Sequence, residues 1–187
     1  MKLKLLAASL ATSLVLATGA IAGDMAAKQN PTVGGAAMLP TKDIVDNAVN
    51  SKDHTTLVAA VQAAGLVDTL KGEGPFTVFA PTNAAFSALP AGTVDTLLEP
   101  ENKGTLTSVL TYHVVAGKHD ASSIASKIGE GDGAAILTTV QGETLTAKAQ
   151  GDGITLTDSK GNVANVTIAN VYQSNGVIHV IDKVLMP

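Results

Sequence analysis

The spacing of apolar residues changes character three times along the chain. After a basic start, Met1-Lys2-Leu3-Lys4, the stretch Leu5 to Ala17 is apolar and almost uncharged, and small residues then lead to Ala20-Ile21-Ala22. That order predicts a secretory signal peptide over residues 1–22. The apolar run is shorter than the about 20 residues a membrane-crossing helix needs. No later stretch is as long, so the protein is not expected to span a membrane. Residues 23–39 mix Ala, Gly and polar residues with no sustained period. They predict a flexible leader, with Pro40 near the edge of a domain covering 40–187.

From residue 43 the period becomes helical. Ile44, Val45, Ala48 and Val49 fall on one side of a short helix over Asp43–Asn50. Leu57, Val58, Val61 and Ala64 predict a clearer one over Thr55–Ala64, with Gly65 where a left-handed cap belongs. Leu66, Val67 and Leu70 add a turn. Phe76-Thr77-Val78-Phe79-Ala80 then reads as a strand ended by Pro81. Thr82 or Asn83 can cap a helix over Ala84–Leu89. Three further short helices are expected around Val94–Leu98, around Leu106–Leu110, and over Ala121–Ile128 with Asp120 as cap.

Beyond Ala134 the period is two. Strands are expected over 136–140, 144–147, 154–157, 163–169 and 177–181, separated by turn-forming Gly, Asp, Asn and Ser. Helices first and antiparallel strands after predict an α+β domain.

Composition narrows the function more than the fold. All 12 basic residues are Lys and none is Arg, against 16 acidic residues. Removing residues 1–22, which hold Lys2 and Lys4 and no acid, leaves ten against 16, a net charge of −6. A chain without a basic face or Arg is poorly suited to nucleic acid. There is no Cys, so an exported fold must rely on its hydrophobic core rather than disulfides. There is no Trp, and Phe76, Phe79, Phe86, Tyr112 and Tyr172 are few for a stacking platform.

Catalytic signatures are equally sparse. No Ser stands in a Gly-x-Ser-x-Gly elbow, and without Cys there is no thiol nucleophile or thiolate metal site. His54, His113, His119 and His179 form no close metal-binding pair in sequence. The acids and glycines of 152–162 lack the ligand spacing of a calcium loop. No cofactor, no metal and no enzymatic activity are expected.

Three segments are more specific. Thr77-Val78-Phe79-Ala80-Pro81-Thr82-Asn83-Ala84-Ala85-Phe86 resembles the first motif of the fasciclin-like domain family. Gly176-Val177-Ile178-His179-Val180-Ile181-Asp182-Lys183-Val184-Leu185-Met186-Pro187 resembles the second. Leu110-Thr111-Tyr112-His113-Val114-Val115, between them, resembles the family's Tyr-His segment. The likeness spans about residues 40–187. It implies N-terminal helices packed on a mainly antiparallel β-wedge or sandwich, and a secreted, non-enzymatic module that binds a cell-surface or matrix protein or glycan in adhesion. Within that resemblance Tyr112 and His113 map to a region linked to receptor contact; the alternative is a buried, hydrogen-bonded pair serving the fold at a helix-to-strand junction. A second functional expectation is a carrier of an apolar ligand, such as a carotenoid or lipid, held between helices and β-wedge. Asp182 is expected to bond backbone near the first motif.

Overall fold

The computed structural model describes residues 30–187. The expected signal peptide, residues 1–22, and residues 23–29 of the expected leader lie outside the described residues. Residues 30–39, expected to be flexible, are docked instead. Strands β1 (Thr32–Val33) and β2 (Ala36–Ala37) form a small hairpin. It buries Val33 and Met38, and the Asn30 carboxamide pairs with both backbone groups of Tyr172. Two apolar residues in an Ala/Gly-rich stretch are too few to set up a readable period, yet enough to anchor ten residues.

The helical half follows the expected order. Helices α1 (Ile44–Ala48), α2 (Thr55–Ala64) and α3 (Val67–Lys71) precede strand β3 (Phe76–Pro81). Helices α4 (Asn83–Ser87), α5 (Thr93–Leu98) and α6 (Lys103–Tyr112) lead to β4 (Val114–Ala116). Helix α7 (Ala121–Glu130) comes before the strand series. The caps are local chemistry: Asp43 accepts from Asp46 N–H, Thr82 from Ala85 N–H, and Asp120 from Ser123 N–H, each satisfying a helix-start donor. Gly65 closes α2 in the left-handed region, φ +73°.

Strands β5 (Ala134–Thr138), β6 (Thr144–Gln150), β7 (Gly153–Thr157), β8 (Val163–Gln173) and β9 (Gly176–Ile181) complete a seven-stranded sheet in the order β4-β3-β9-β8-β7-β6-β5. Within this sheet only the interior pair β3/β9 is parallel; the other pairs are antiparallel. The two ends curl toward each other, joined by the bridge Val115–Thr139 and by Val140 N–H to the Val114 carbonyl at 2.8 Å. The result is a wedge-like, nearly closed barrel with helices packed outside.

Strand alternation divides the core in two. Val78, Ala80, Ile178 and Val180 face outward into a layer filled by α1, α2 and α6, with Leu57, Val61, Leu106 and Leu110. Phe79 and Ile181 face inward with Leu137, Leu145, Leu156 and Ala164, and Ile124 and Ile128 of α7 cover that interior. All six residues of β9 are buried, as a parallel central strand covered on both faces requires.

Candidate functional site

Tyr112 ends α6, His113 caps it, and Val114 starts β4, so both candidate residues sit on the helix-to-strand junction. Both are interior: Tyr112 is 0 % exposed and His113 2 %. The Tyr112 hydroxyl donates to the Thr144 carbonyl at 3.1 Å and accepts from Ser159 N–H at 3.0 Å. His113 Nδ1 lies 2.7 Å from the Val109 carbonyl, and Leu185 N–H donates to His113 Nε2 at 3.0 Å. A carbonyl can only accept and an amide N–H only donate, so the ring is neutral with its proton on Nδ1. Burial pushes the imidazole down to about 4, against the opposing pull of the Val109 carbonyl and the Asp158 charge. The geometry is that of a hydrogen-bonded pair tying α6 to the strands and to the C-terminal segment.

That segment is pinned twice more. Asp158 accepts from the N–H groups of Met186, Lys160 and Asn162 and from the Asn162 carboxamide. Burial pushes this carboxyl upward, but the hydrogen bonds prevail and hold it below the usual carboxylate range. Asp182, expected from sequence to bond backbone near the first motif, does not reach it. Its two oxygens accept instead from the backbone N–H and carboxamide of Asn165, at 2.7 and 2.6 Å. The reason is register: the end of β9 lies beside its antiparallel partner β8, with Ile181 opposite Val166, so the next residue meets Asn165.

The remaining histidines serve different places. His179 stacks on Phe79 with centroids 5.6 Å apart and bonds the His119 carbonyl through Nε2 at 2.8 Å. Burial lowers His179, His119 and His54 alike. Among the described residues no three His, Cys, Asp or Glu side chains gather in a way that could hold a metal ion.

Two features were not assigned to residues in the sequence, although an apolar ligand between helices and β-wedge was one expectation. The first is an apolar cavity between the helices and the sheet, bounded by Ile44, Val45, Leu57, Val61, Val78 and Ile178, with exposed Gln62, Thr69 and Val140 at its margin. It offers about 70 Å³ to the centre of a water-sized sphere. Its walls come from positions 33 to 180, so no local pattern announces it. The second is a row across the outer sheet face: Ile136 pairs with Thr146, Thr146 with Thr157, and Thr157 with Val163. Ile136 is 69 % exposed and Val163 40 %. Strict alternation with inward Leu137 was the available signal for Ile136.

The family model of the fasciclin domain matches residues 52–187. The chain belongs to the fasciclin domain family. It is 47 % identical over 175 residues to protein sll1483 of Synechocystis, covering 94 % of this chain and 90 % of that one. It is 40 % identical over 190 residues to immunogenic protein MPT70 of Mycobacterium tuberculosis, covering 95 % and 90 %. It is 39 % identical over 167 residues to the cell surface glycolipoprotein MPB83 of Mycobacterium bovis, covering 86 % and 68 %. Among solved structures it superposes on a FAS1 domain pair from the insect cell adhesion molecule Fasciclin I with a TM-score of 0.70 at 16 % identity. That match covers 78 % of this chain and 51 % of the other, so the chain spans about half of that domain pair. The fasciclin fold, helices on a β-wedge, is thereby shared. No helix among the described residues is long and apolar enough to cross a membrane.

Proposed function

We propose that this fasciclin domain is an exported, non-enzymatic binding module that attaches to a protein or glycan of the cell surface or matrix. The observation that carries the reading is membership of a family known in adhesion-type proteins, with a cell surface glycolipoprotein among the relatives. The signal-like start at residues 1–22 supports export. The buried polar groups around Tyr112 and His113 are engaged in holding the fold, so in this reading binding falls to the exposed surface, and the Ile136–Val163 row supplies apolar contact area there. Tyr112 and His113 contribute by positioning the α6–β4 corner and the C-terminal segment. Deleting the gene should reduce attachment of the native cells to surfaces; undiminished attachment would count against the module.

The cavity supports a second reading, a carrier of an apolar ligand such as a carotenoid or lipid. The apolar lining of the space between helices and sheet supports this reading by its chemistry, with room for one end of such a cargo. Organic extraction of protein purified from its native source should then release an apolar molecule in stoichiometric amount. A clean extract would remove this reading and leave the first untouched.

A further inference from the structure

The apolar cavity has a direction. Its floor is the outer face of the strands β4-β3-β9-β8, to which Val114, Val78, Ile178 and Val171 contribute in that order. Three strand spacings make this floor roughly 14 Å across. The β8 side is closed. The β1/β2 hairpin lies there, tied through Asn30 to the backbone of Tyr172, and its Val33 and Met38 are 4 % and 5 % exposed where they meet the cavity. Gly34, at φ +58°, packs on the Ser51–Asp53 turn so closely that a Cβ there would collide with the Ser51 hydroxyl, and its carbonyl accepts from Lys52 N–H. The hairpin is thus a fixed end wall.

The β4 side differs. Val140, in the β5–β6 turn, joins the wall there by donating its N–H to the Val114 carbonyl. It is 47 % exposed, more than any other apolar residue of the wall. Lys103 at the start of α6 reaches Gly65 at the end of α2, so these packed helices run antiparallel and Thr111 comes level with Val58. Both are half-buried beside the same space. An apolar side chain that is cavity wall and solvent-facing surface at once marks an opening. No Lys, Asp or Glu lines the cavity, and its interior polar side chains are already bonded: Thr111 to the Thr107 carbonyl, Ser51 to His54, and His113 at both nitrogens. A charged or strongly polar group brought inside would lose its water without compensation.

We propose that the cavity is a blind slot that receives one apolar end of an elongated amphiphile through a mouth at Val140, while the polar remainder of that molecule stays in solvent. This rests on the carrier reading above and adds the entry route, the orientation of the cargo and the residue at the entrance. The open volume accommodates about five to seven water-sized groups, the size of one six-membered ring or a short stretch of chain.

The test uses the full chain, stripped of extractable lipid, with Ile and Val methyls labelled for NMR. It is titrated with methylcyclohexane, which is small enough to lie wholly inside, and with cyclohexylpropyl maltoside below its critical micelle concentration, whose two sugars are too large to enter. Maltose alone is the control. The proposal expects both ring compounds to shift the buried methyls of Val78 and Ile178, and the sugar protons of the maltoside to contact the Val58 and Val140 methyls. Val140→Glu, which sets a carboxylate at the mouth, should weaken the maltoside about tenfold. Ile136→Glu, equally exposed but not part of the cavity wall, should leave it unchanged. Binding of methylcyclohexane without the maltoside would overturn the slot and leave the carrier reading standing. Sugar contacts at Val67 and Phe76 instead, equal affinities in wild type and Val140→Glu, or shifts reproduced by maltose would also overturn it. No methyl shift with either ring compound would overturn both. The wild-type contacts decide the matter should Val140→Glu fail to fold.

Discussion

His113 shows how a residue chosen for its resemblance to a contact site can act through the interior. Its ring joins the Val109 carbonyl of α6 to the Leu185 N–H of the C-terminal segment. The Nδ1 bond to the Val109 carbonyl survives protonation, but the bond from Leu185 N–H requires a neutral imidazole, because protonation removes the acceptor at Nε2. The folded-state value of about 4 lies below the ordinary 6.5, so the unfolded chain takes the proton first. The stability this adds is complete above about pH 6.5 and is lost as pH falls from 6.5 toward 4, roughly 3 kcal/mol across that window. His54, His119 and His179 are shifted in the same direction and add to the slope. Urea midpoints should therefore decline between pH 6.5 and 4. His113→Phe should flatten part of that decline while costing about 1–3 kcal/mol at pH 7, because Leu185 N–H is left unpaired. An unchanged slope in the variant would mean that His113 does not titrate as described. Tyr112→Phe removes the hydroxyl shared by the Thr144 carbonyl and Ser159 N–H, and should cost about 1–2 kcal/mol with no new pH dependence.

At the scale of elements, α7 illustrates tertiary packing overriding propensity. Its sequence, ASSIASKIGE, contains three Ser and a Gly, all weaker helix formers than Ala. What holds it is one face, Ile124 and Ile128, set over the inner core, together with its Asp120 cap. Ile124→Ala should cost about 2–5 kcal/mol and Asp120→Ala about 1 kcal/mol by chemical denaturation. A reversed order would mean that the cap, not the face, anchors the helix. The same physics explains what could be read in the sequence. Thr55–Ala64 and Phe76–Pro81 were legible because apolar period, cap and breaker coincide within ten residues. Strand β8 was read only to Ala169, whereas it runs to Gln173. Asn170 there has a positive φ of 61° and sits in a register irregularity, which breaks the alternation. The β1/β2 hairpin gave no local signal, because its order comes from Tyr172 and Ser51, far away in the chain.

Taken whole, the molecule is a sheet with two hydrophobic layers, one inside the curled strands and one beneath the helices. The motifs at Thr77–Phe86 and Gly176–Pro187 were recognisable apart, but their juxtaposition is a structural fact: β3 and β9 lie parallel, Phe76 beside Gly176 through Pro81 beside Ile181. The Tyr-His segment was legible as a motif, yet its burial was decided by partners at Thr144, Ser159 and Leu185. A place for an apolar ligand between helices and β-wedge was expected, but the residues that wall the cavity were not legible, since they converge only in three dimensions. With the interior occupied by such ties, the proposed attachment must work through the outside of the fold. The most direct test measures attachment of gene-deleted native cells complemented with wild type, with Tyr112→Phe, or with Ile136→Glu/Val163→Glu, all at matched levels of folded, exported protein. The account predicts that wild type and Tyr112→Phe restore attachment while the double Glu variant does not. Attachment that is unaffected by deletion, or restored equally by all three, would contradict it.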